Sequence, residues 1–408
     1  MNILYVTGMN APIKDLLTGK LDNEITGLPG FYFPWRKLVN RGHIVDIVMI
    51  SNFKGNYNIK VNWLKKENII ANIYAPYSEF RLFREVRIIF RFLQLLYYSL
   101  KATKVKKYDF IYCKVYEGVA GQIVAKYRKI PSGVRLFGDF TFCYPDIKRY
   151  GKYLAALIHP LEFISFVIGA TFILATDDGQ HCDRIYSSWS RSKKNRFYHW
   201  KTGVEISRID SVKMVSIPSD EKYIYFAGRF DKCKRQDRVI KVLEYLHKEN
   251  LKIHLYFAGE STSVNYRNYI ESLVKQSNLS AYVHFLGPVK KNDLKVFAYN
   301  SIANVFMSEH SNLGNVFYEV FSVGSIVISL RNRSLEEFIL NGINGFLVDD
   351  EKEACTIIKK ILDGEIDIKK IREKALETSK EKFLTIDERF NDEIALIERT
   401  AKISREKM

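Results

Sequence analysis

The sequence predicts an α/β chain made of two doubly wound parallel sheets in succession. Three observations predict it. Short apolar runs alternate with stretches of helical periodicity, that series restarts in the second half, and 408 residues exceed what one ordinary hydrophobic core holds.

In the first half the apolar runs are ILYV (3–6), IVDIVMI (44–50), FIYC (110–113), VRLF (134–137) and FILA (172–175). Continuous apolarity of this length suits strands covered on both faces, which is how parallel sheets are built. The second series is YIYFAG (223–228), HLYFAG (254–259), VHFLG (283–287), ANVFM (303–307) and IVISL (326–330). Between them, Lys201 to Ser219 loses hydrophobic periodicity and reads as the join. The expected domains are 1–205, 206–380, and a helix over 381–408 that returns to the first domain. Ligands of open parallel sheets collect beyond the carboxyl ends of the strands, so two such edges facing across a cleft would make a binding site.

Composition excludes several classes. With 47% hydrophobic and 27% charged residues and 9 prolines, the chain is not of the disordered kind. The five cysteines are scattered and form no C-x-x-C pair, which argues against a disulfide framework or a structural zinc site and favours a reducing cytosol. No metal-ligating set is read. The apolar start lacks the basic flank of a signal peptide, so export is not expected. His159, Pro160 and Glu162 break the tract Leu154 to Ala175, leaving about 13 apolar residues where roughly 20 are needed to span a bilayer. A buried helix followed by an interior strand at Thr171 to Ala175 is the expectation.

Charge is uneven. Residues 1–210 carry 32 Lys+Arg against 17 Asp+Glu, a net of +15, whereas residues 211–408 carry 31 against 29. The first half therefore attracts whatever anion the protein meets: lipid, phosphorylated substrate or nucleic acid. No nucleic-acid-binding signature accompanies the charge, and a nucleic-acid partner is not expected.

Two stretches carry candidate chemistry. In YFAGRFDKCKRQDRVIKVL, a strand ends at Gly228, Arg229 and Lys234 follow in a loop, and an amphipathic helix begins near Gln236. Cations beyond a strand's carboxyl end suit a diphosphate, the planar guanidinium as a fork and the ammonium as a point charge. A solvated basic loop has the same spacing, and then Lys232, Arg235 and Arg238 qualify equally. In SEHSNLGNVFYEVFSVG, a loop is able to cap a helix through Ser311 or Asn312, and Gly324 stops that helix. Amides at Gly314, Asn315 and Val316 would face an anion or hydroxyl. Glu319, one turn further, could accept two hydrogen bonds from a vicinal diol, or could merely complement the helix dipole.

These motifs resemble the retaining family 4 glycosyltransferases, of the glycosyl transferases group 1 and the GT-B fold. The likeness runs through GRFDKCK (228–234), YFAGE (256–260), VHFLGPVKKNDL (283–294), SNLGNVFYEVFSVGSIVI (311–328) and NGINGFLV (341–348). More weakly it includes GLPG (27–30), RGHIVDIV (41–48) and FYHWKTGVE (197–205), so that it spans most of the chain.

The resemblance implies a nucleotide diphosphate sugar as donor, bound in part by Gly228, Gly287, Gly314, Asn315 and Val316. It implies that Arg229 and Lys234 hold the diphosphate and offset leaving-group charge, that Glu319 binds the ribose, that Gly27 and Gly30 let the phosphates approach, and that no divalent metal is required. It further implies a glycan or polyprenyl-linked acceptor, with the enzyme cytoplasmic or peripheral at the inner membrane face. There are two departures. Ser311 stands where the Glu-x7-Glu motif has its first glutamate, and Gly138-Asp139 stands where a His-Asp loop is frequent. Glu309 or His310 is a partial substitute for the missing carboxylate if the register is shifted. A non-catalytic nucleotide-sugar or glycan-binding relative is the alternative that Ser311 keeps open.

Arg81 to Lys107 places Leu82, Val86, Ile89, Leu93, Leu96 and Leu100 on one helical stripe and Arg81, Arg84, Arg87 and Arg91 on another. Such a helix either lies on an anionic membrane or turns its apolar stripe to the core.

Overall fold

The structure, a computed structural model, describes residues 1–8, 33–50, 71–74, 84–137, 142–190, 196–204, 221–261, 263–309 and 313–406. Gly27, Gly30, Gly138, Asp139, His310, Ser311 and Asn312 lie outside these, as does most of the expected join.

The chain divides into two compact units. The first comprises Met1–Thr176, His181–Lys201 and Asp387–Met408, and the second Asp177–Gln180 and Thr202–Ile386. In the first, seven strands are ordered β3-β2-β1-β4-β5-β6-β7, all parallel. They are β1 (Asn2–Gly8), β2 (Ile44–Ile50), β3 (Ala71–Tyr74), β4 (Phe110–Lys114), β5 (Ser132–Leu136), β6 (Phe172–Thr176) and β7 (Arg196–Trp200). Alternation along β1 serves two cores. Ile3 and Tyr5 face Trp35, Leu38 and, from the helix Ile386–Glu406, Ile394 and Ile397. Leu4 and Val6 face Leu95, Val124 and Ile185 on the other side. The seventh strand contains FYHW, whose aromatic residues Phe197 to Trp200 pair in register with β6.

A cluster of charges is buried where the C-terminal helix meets this sheet. The Glu393 carboxylate is fully buried, 3.2 Å from Arg135 and 3.3 Å from Arg389, and accepts a hydrogen bond from Tyr112 Oη at 2.5 Å. Burial and the neighbouring Arg135 push the Arg389 guanidinium down to about 10. Arg389 also donates to the Lys201 carbonyl.

One expectation for the first unit is corrected. The tract from Leu154 forms not one buried helix but two, Cys143–Ile158 and Pro160–Ile168, bent by 83°. Proline at the first helical position starts a new helix and the preceding His159 leaves helical geometry. Leu154 and Leu157 are exposed. Among the described residues no single helix is long and apolar enough to cross a membrane. The expected interior strand is present as β6.

In the helix Arg84–Val105, the stripe read as facing either a membrane or the core is divided: Ile89 is 61% and Leu93 51% exposed, whereas Leu96 and Leu100 pack half-buried against the core. The fully buried positions are Leu95, Ser99 and Ala102, and the helix lies against Val115–Arg128. Arg81 and Leu82, and the side chains of Arg84, Val86 and Arg87, lie outside the described residues.

The second unit holds six parallel strands in the order β10-β9-β8-β11-β12-β13. These are β8 (Tyr223–Ala227), β9 (His254–Ala258), β10 (Val283–Gly287), β11 (Asn304–Phe306), β12 (Val327–Leu330) and β13 (Phe346–Val348). One core joins the sheet to helices on both faces. The short strands β3 and β13 have no counterpart in the apolar runs read from the sequence; each is an edge strand of three or four residues and too brief for a periodicity to register.

Candidate functional site

The carboxyl ends of β8, β9 and β10 are stitched together through glycine. The Gly228 amide donates to the Ala258 carbonyl and the Gly259 amide to the Gly287 carbonyl, both at 2.8 Å. A Cβ on Gly259, whose φ is +141°, would lie 2.1 Å from the Gly228 carbonyl oxygen, so any side chain there would force the two loops apart. Gly287 ends β10 at a φ of +70°.

From this edge the chain carries Arg229 into solvent and returns through Phe230, which is fully buried and whose amide donates to the Glu260 carbonyl. Asp231 then caps a short 3-10 turn, Lys232–Lys234, by accepting from the Cys233 amide. The turn is tied to the end of β11 by Ser308, whose hydroxyl donates to the Cys233 carbonyl at 2.6 Å. Arg235 adopts a left-handed conformation, φ +54°, and the helix Gln236–Lys248 begins. The result is a rigid placement of Lys234, half-buried, with its ammonium 3.9 Å from where a Cβ on Gly314 would stand. Burial lowers the Lys234 pKa, Arg229 lowers it further, and Asp178 acts in the opposite direction. Arg229 is therefore near enough for Lys234 to feel its charge.

The remaining cations of this loop are used differently. Arg235 chelates Asp237, at 3.1 and 3.0 Å, and reaches Glu309 at 3.0 Å. Arg238 pairs with Glu351 at 2.5 Å and with Glu309 at 3.2 Å. Lys232 is exposed. Among the described residues no carboxylate lies within ion-pair distance of Arg229. The sequence treated these cations as equivalent candidates; the partners separate them. Glu309, considered as a stand-in for the carboxylate missing at Ser311, is engaged by the two arginines.

Gly314 is the N-cap of the helix Asn315–Phe321 and makes no side-chain cap, while the expected caps, Ser311 and Asn312, lie outside the described residues. Asn315 is exposed and Val316 half-buried, while Phe317, Tyr318, Val320 and Phe321 are buried, the aromatic ones against Phe383. Glu319 thus has no place in the core. Its carboxylate, 15% exposed, lies 4.0 Å from the Lys291 ammonium, at the start of the helix Lys291–Asn300.

An acidic group that the sequence reading passed over completes the site. Asp177 and Asp178 follow β6, and the Asp177 carboxylate accepts from the Ser334 hydroxyl at 2.5 Å. Asp178 accepts from the amide and the side chain of Gln180. Burial pushes the Asp178 carboxyl up to about 7, against the Gln180 amide and Lys234, which favour the charged form. The signal was legible as TDDG directly beyond an apolar strand, a place where ligand-facing groups gather.

Comparison with known proteins follows this geometry. Residues 208–380 match the family described as glycosyl transferases group 1. Over 141 residues the chain is 27% identical to the lipopolysaccharide core biosynthesis glycosyltransferase LpsE of Rhizobium meliloti (strain 1021), an alignment that covers 35% of this chain and 38% of that protein. Sucrose-phosphate synthase from Thermosynechococcus elongatus superposes with a TM-score of 0.70 at 15% identity, covering 100% of this chain and 98% of that one. Anabaena HepE, solved in complex with UDP and glucose, superposes with a TM-score of 0.64 at 16% identity, covering 97% and 98%. These superpositions show the fold: GT-B, with two Rossmann-like domains.

Proposed function

We propose, from a chain of GT-B fold whose residues 208–380 match the glycosyl transferases group 1, that the protein transfers a sugar from a nucleotide diphosphate sugar to a glycan or lipid-linked acceptor, with retention. The observation that carries the reading is the pair of mutually repelling cations, Arg229 and Lys234, set beside Gly314 at the strand ends. Two neighbouring cations attract an anion together, and a diphosphate is an anion of the right size and charge. Arg229 and Lys234 bind it and offset the charge that grows on it as the glycosidic bond breaks, the kind of preorganised electrostatics that lowers a barrier. In this role they take the place of a divalent metal. Gly228, Gly287, Gly314, Asn315 and Val316 line the approach, and Glu319 exchanges its contact with Lys291 for the ribose diol. Gly27, Gly30 and Ser311 belong to the same proposal on the strength of the resemblance alone. UDP bound to HepE supports a nucleotide donor.

The experiment is a calorimetric and product screen with several nucleotide sugars. Transfer or donor hydrolysis is expected with at least one. Binding of a nucleoside diphosphate without turnover of any donor would leave the non-catalytic alternative standing, and no binding at all would overturn both.

An anionic membrane surface is the partner that the first unit favours. Tyr153 is 71% and Leu157 77% exposed on the helix Cys143–Ile158. Lys148, Arg149 and Lys152 on that helix lie over the rings of Tyr144, Tyr150 and Tyr153 at 5.3, 5.1 and 5.1 Å. Outward apolar side chains alternating with cations suit the headgroup boundary, as does the outward face of Arg84–Val105. Peripheral attachment at the cytoplasmic face follows. Vesicles containing phosphatidylserine should sediment the protein at low salt and release it at high salt, and Leu157→Asp should weaken the sedimentation; indifference to vesicles would remove this partner.

A further inference from the structure

At the opposite, amino-terminal edge of the second sheet, three strands bring together an unrelated group of side chains. Glu221 precedes β8, His254 opens β9 and His284 is the second residue of β10. The register sets Tyr223 beside His254 and Tyr256 beside His284, so these four share one face, where Phe297 meets them. His254 Nδ1 stands 2.8 Å from His284 Nε2 and 3.9 Å from Glu221 Oε2. The three prospective ligand atoms lie within 4.8 Å of one another. Tyr256 donates its hydroxyl proton to Glu221 Oε2 at 2.7 Å.

We propose that Glu221, His254 and His284 form a binding site for zinc or a similar divalent transition metal. Two imidazoles and a carboxylate, with water in the fourth position, are a donor set this class of ion accepts. Metal–nitrogen bonds of about 2.0–2.1 Å in tetrahedral geometry separate two nitrogens by about 3.3 Å, so the imidazole pair opens by about half an ångström to admit the ion. Both rings bind while neutral. The proton shared in the present contact moves to the far side of its ring, leaving His254 protonated at Nε2 and His284 at Nδ1. The Tyr256 hydroxyl orients the carboxylate, as outer partners of metal ligands commonly do. Three strands joined at their first residues would be held by the ion, and because only the folded chain assembles the ligands, metal binding stabilises that fold. The ligands come from three separate strands with no short spacing between them, which is why no metal motif is visible in the sequence.

The test uses the full chain, stripped with a chelator and titrated with zinc chloride, followed by calorimetry and by thermal unfolding. One zinc is expected at this site, raising Tm. Glu221→Gln, His254→Gln and His284→Gln should each weaken binding tenfold or more and abolish the rise in Tm. Cys143→Ser, in the other group of potential ligands (Cys143, His159 and Glu162), should leave both unchanged. Nucleotide binding should be unaffected throughout, so the result stands apart from the donor-site reading. The proposal is overturned if the wild type binds no zinc, if Cys143→Ser removes the binding, or if Glu221→Gln and the double variant His254→Gln/His284→Gln, folded by circular dichroism, bind as tightly as the wild type.

Discussion

Each unit buries a group of charges, and the two groups are built in opposite ways. In the first unit, Glu393, Arg135 and Arg389 have side chains that are 0%, 3% and 2% exposed, and the carboxylate is shared among the arginines and Tyr112. Nothing in that group reaches solvent. In the second, Lys234 and Asp178 are half-buried beside an exposed Arg229, next to a glycine that leaves space. The closed group pairs its one carboxylate with two arginines of its own unit and so contributes to holding a helix on a sheet. The open group has cations in excess at its mouth and an acid held close to neutrality, which suits an incoming anion. Burial of charge alone does not distinguish a structural cluster from a binding one; what does is whether the group opens to solvent.

The largest effect should come from the closed group. Glu393→Ala strands two buried guanidinium groups, and removing one partner of such a set costs about 3–5 kcal/mol. All four tryptophans lie in residues 1–200, so their fluorescence in urea reads the first unit, whose midpoint should fall. Next come the open group's cations. Lys234→Ala and Arg229→Ala should each weaken nucleoside diphosphate binding by about 1.5–3 kcal/mol in calorimetry. Arg235→Ala, whose guanidinium already serves Asp237 and Glu309, should change it far less; equal losses would erase the contrast drawn here.

Asp178 gives a pH signature. Its folded pKa is raised to about 7, so its neutral form is favoured in the fold; the stability this confers is complete below the ordinary carboxylate range and is lost as pH rises through about 7. Over the same window its growing charge should weaken binding of a nucleotide sugar, whose diphosphate diester does not titrate there. Asp178→Asn should flatten both profiles. The smallest effect is expected from Ser308→Ala, which removes the tie to the Cys233 carbonyl and should cost about 1 kcal/mol in thermal unfolding.

How much of this was legible in the sequence follows from what each feature depends on. Interior strands such as Ile3–Val6 and Tyr223–Ala227 are continuously apolar because both faces are covered, and composition alone reveals them. These edge strands have too few residues for a pattern to register, so Ala71–Tyr74 and Phe346–Val348 were not foreseen. Helical periodicity showed that Arg84–Val105 has stripes but left open which is buried; packing covers Leu95, Ser99 and Ala102 fully and Leu96 and Leu100 in part. In the site, Arg229 and Lys234 could be read as loop cations. That Arg235 and Arg238 are occupied elsewhere could not, since Glu309 and Glu351 are distant in sequence and meet them only through the fold.

The helix Ile386–Glu406 has a consequence for how the protein is made. Ile394, Leu396, Ile397 and Ala401 complete a core begun by Ile3 and Tyr5, and Glu393 neutralises arginine charge beneath it. On the ribosome, the first half of the chain emerges long before its final layer exists, while the second unit can close within its own stretch. The first unit must therefore wait, with part of one face of its sheet bare, until the helix Ile386–Glu406 is made. A stop codon at the start of that helix would spare the loop that carries Arg229 and the helix that carries Glu319 and would damage instead the part of the protein synthesised first.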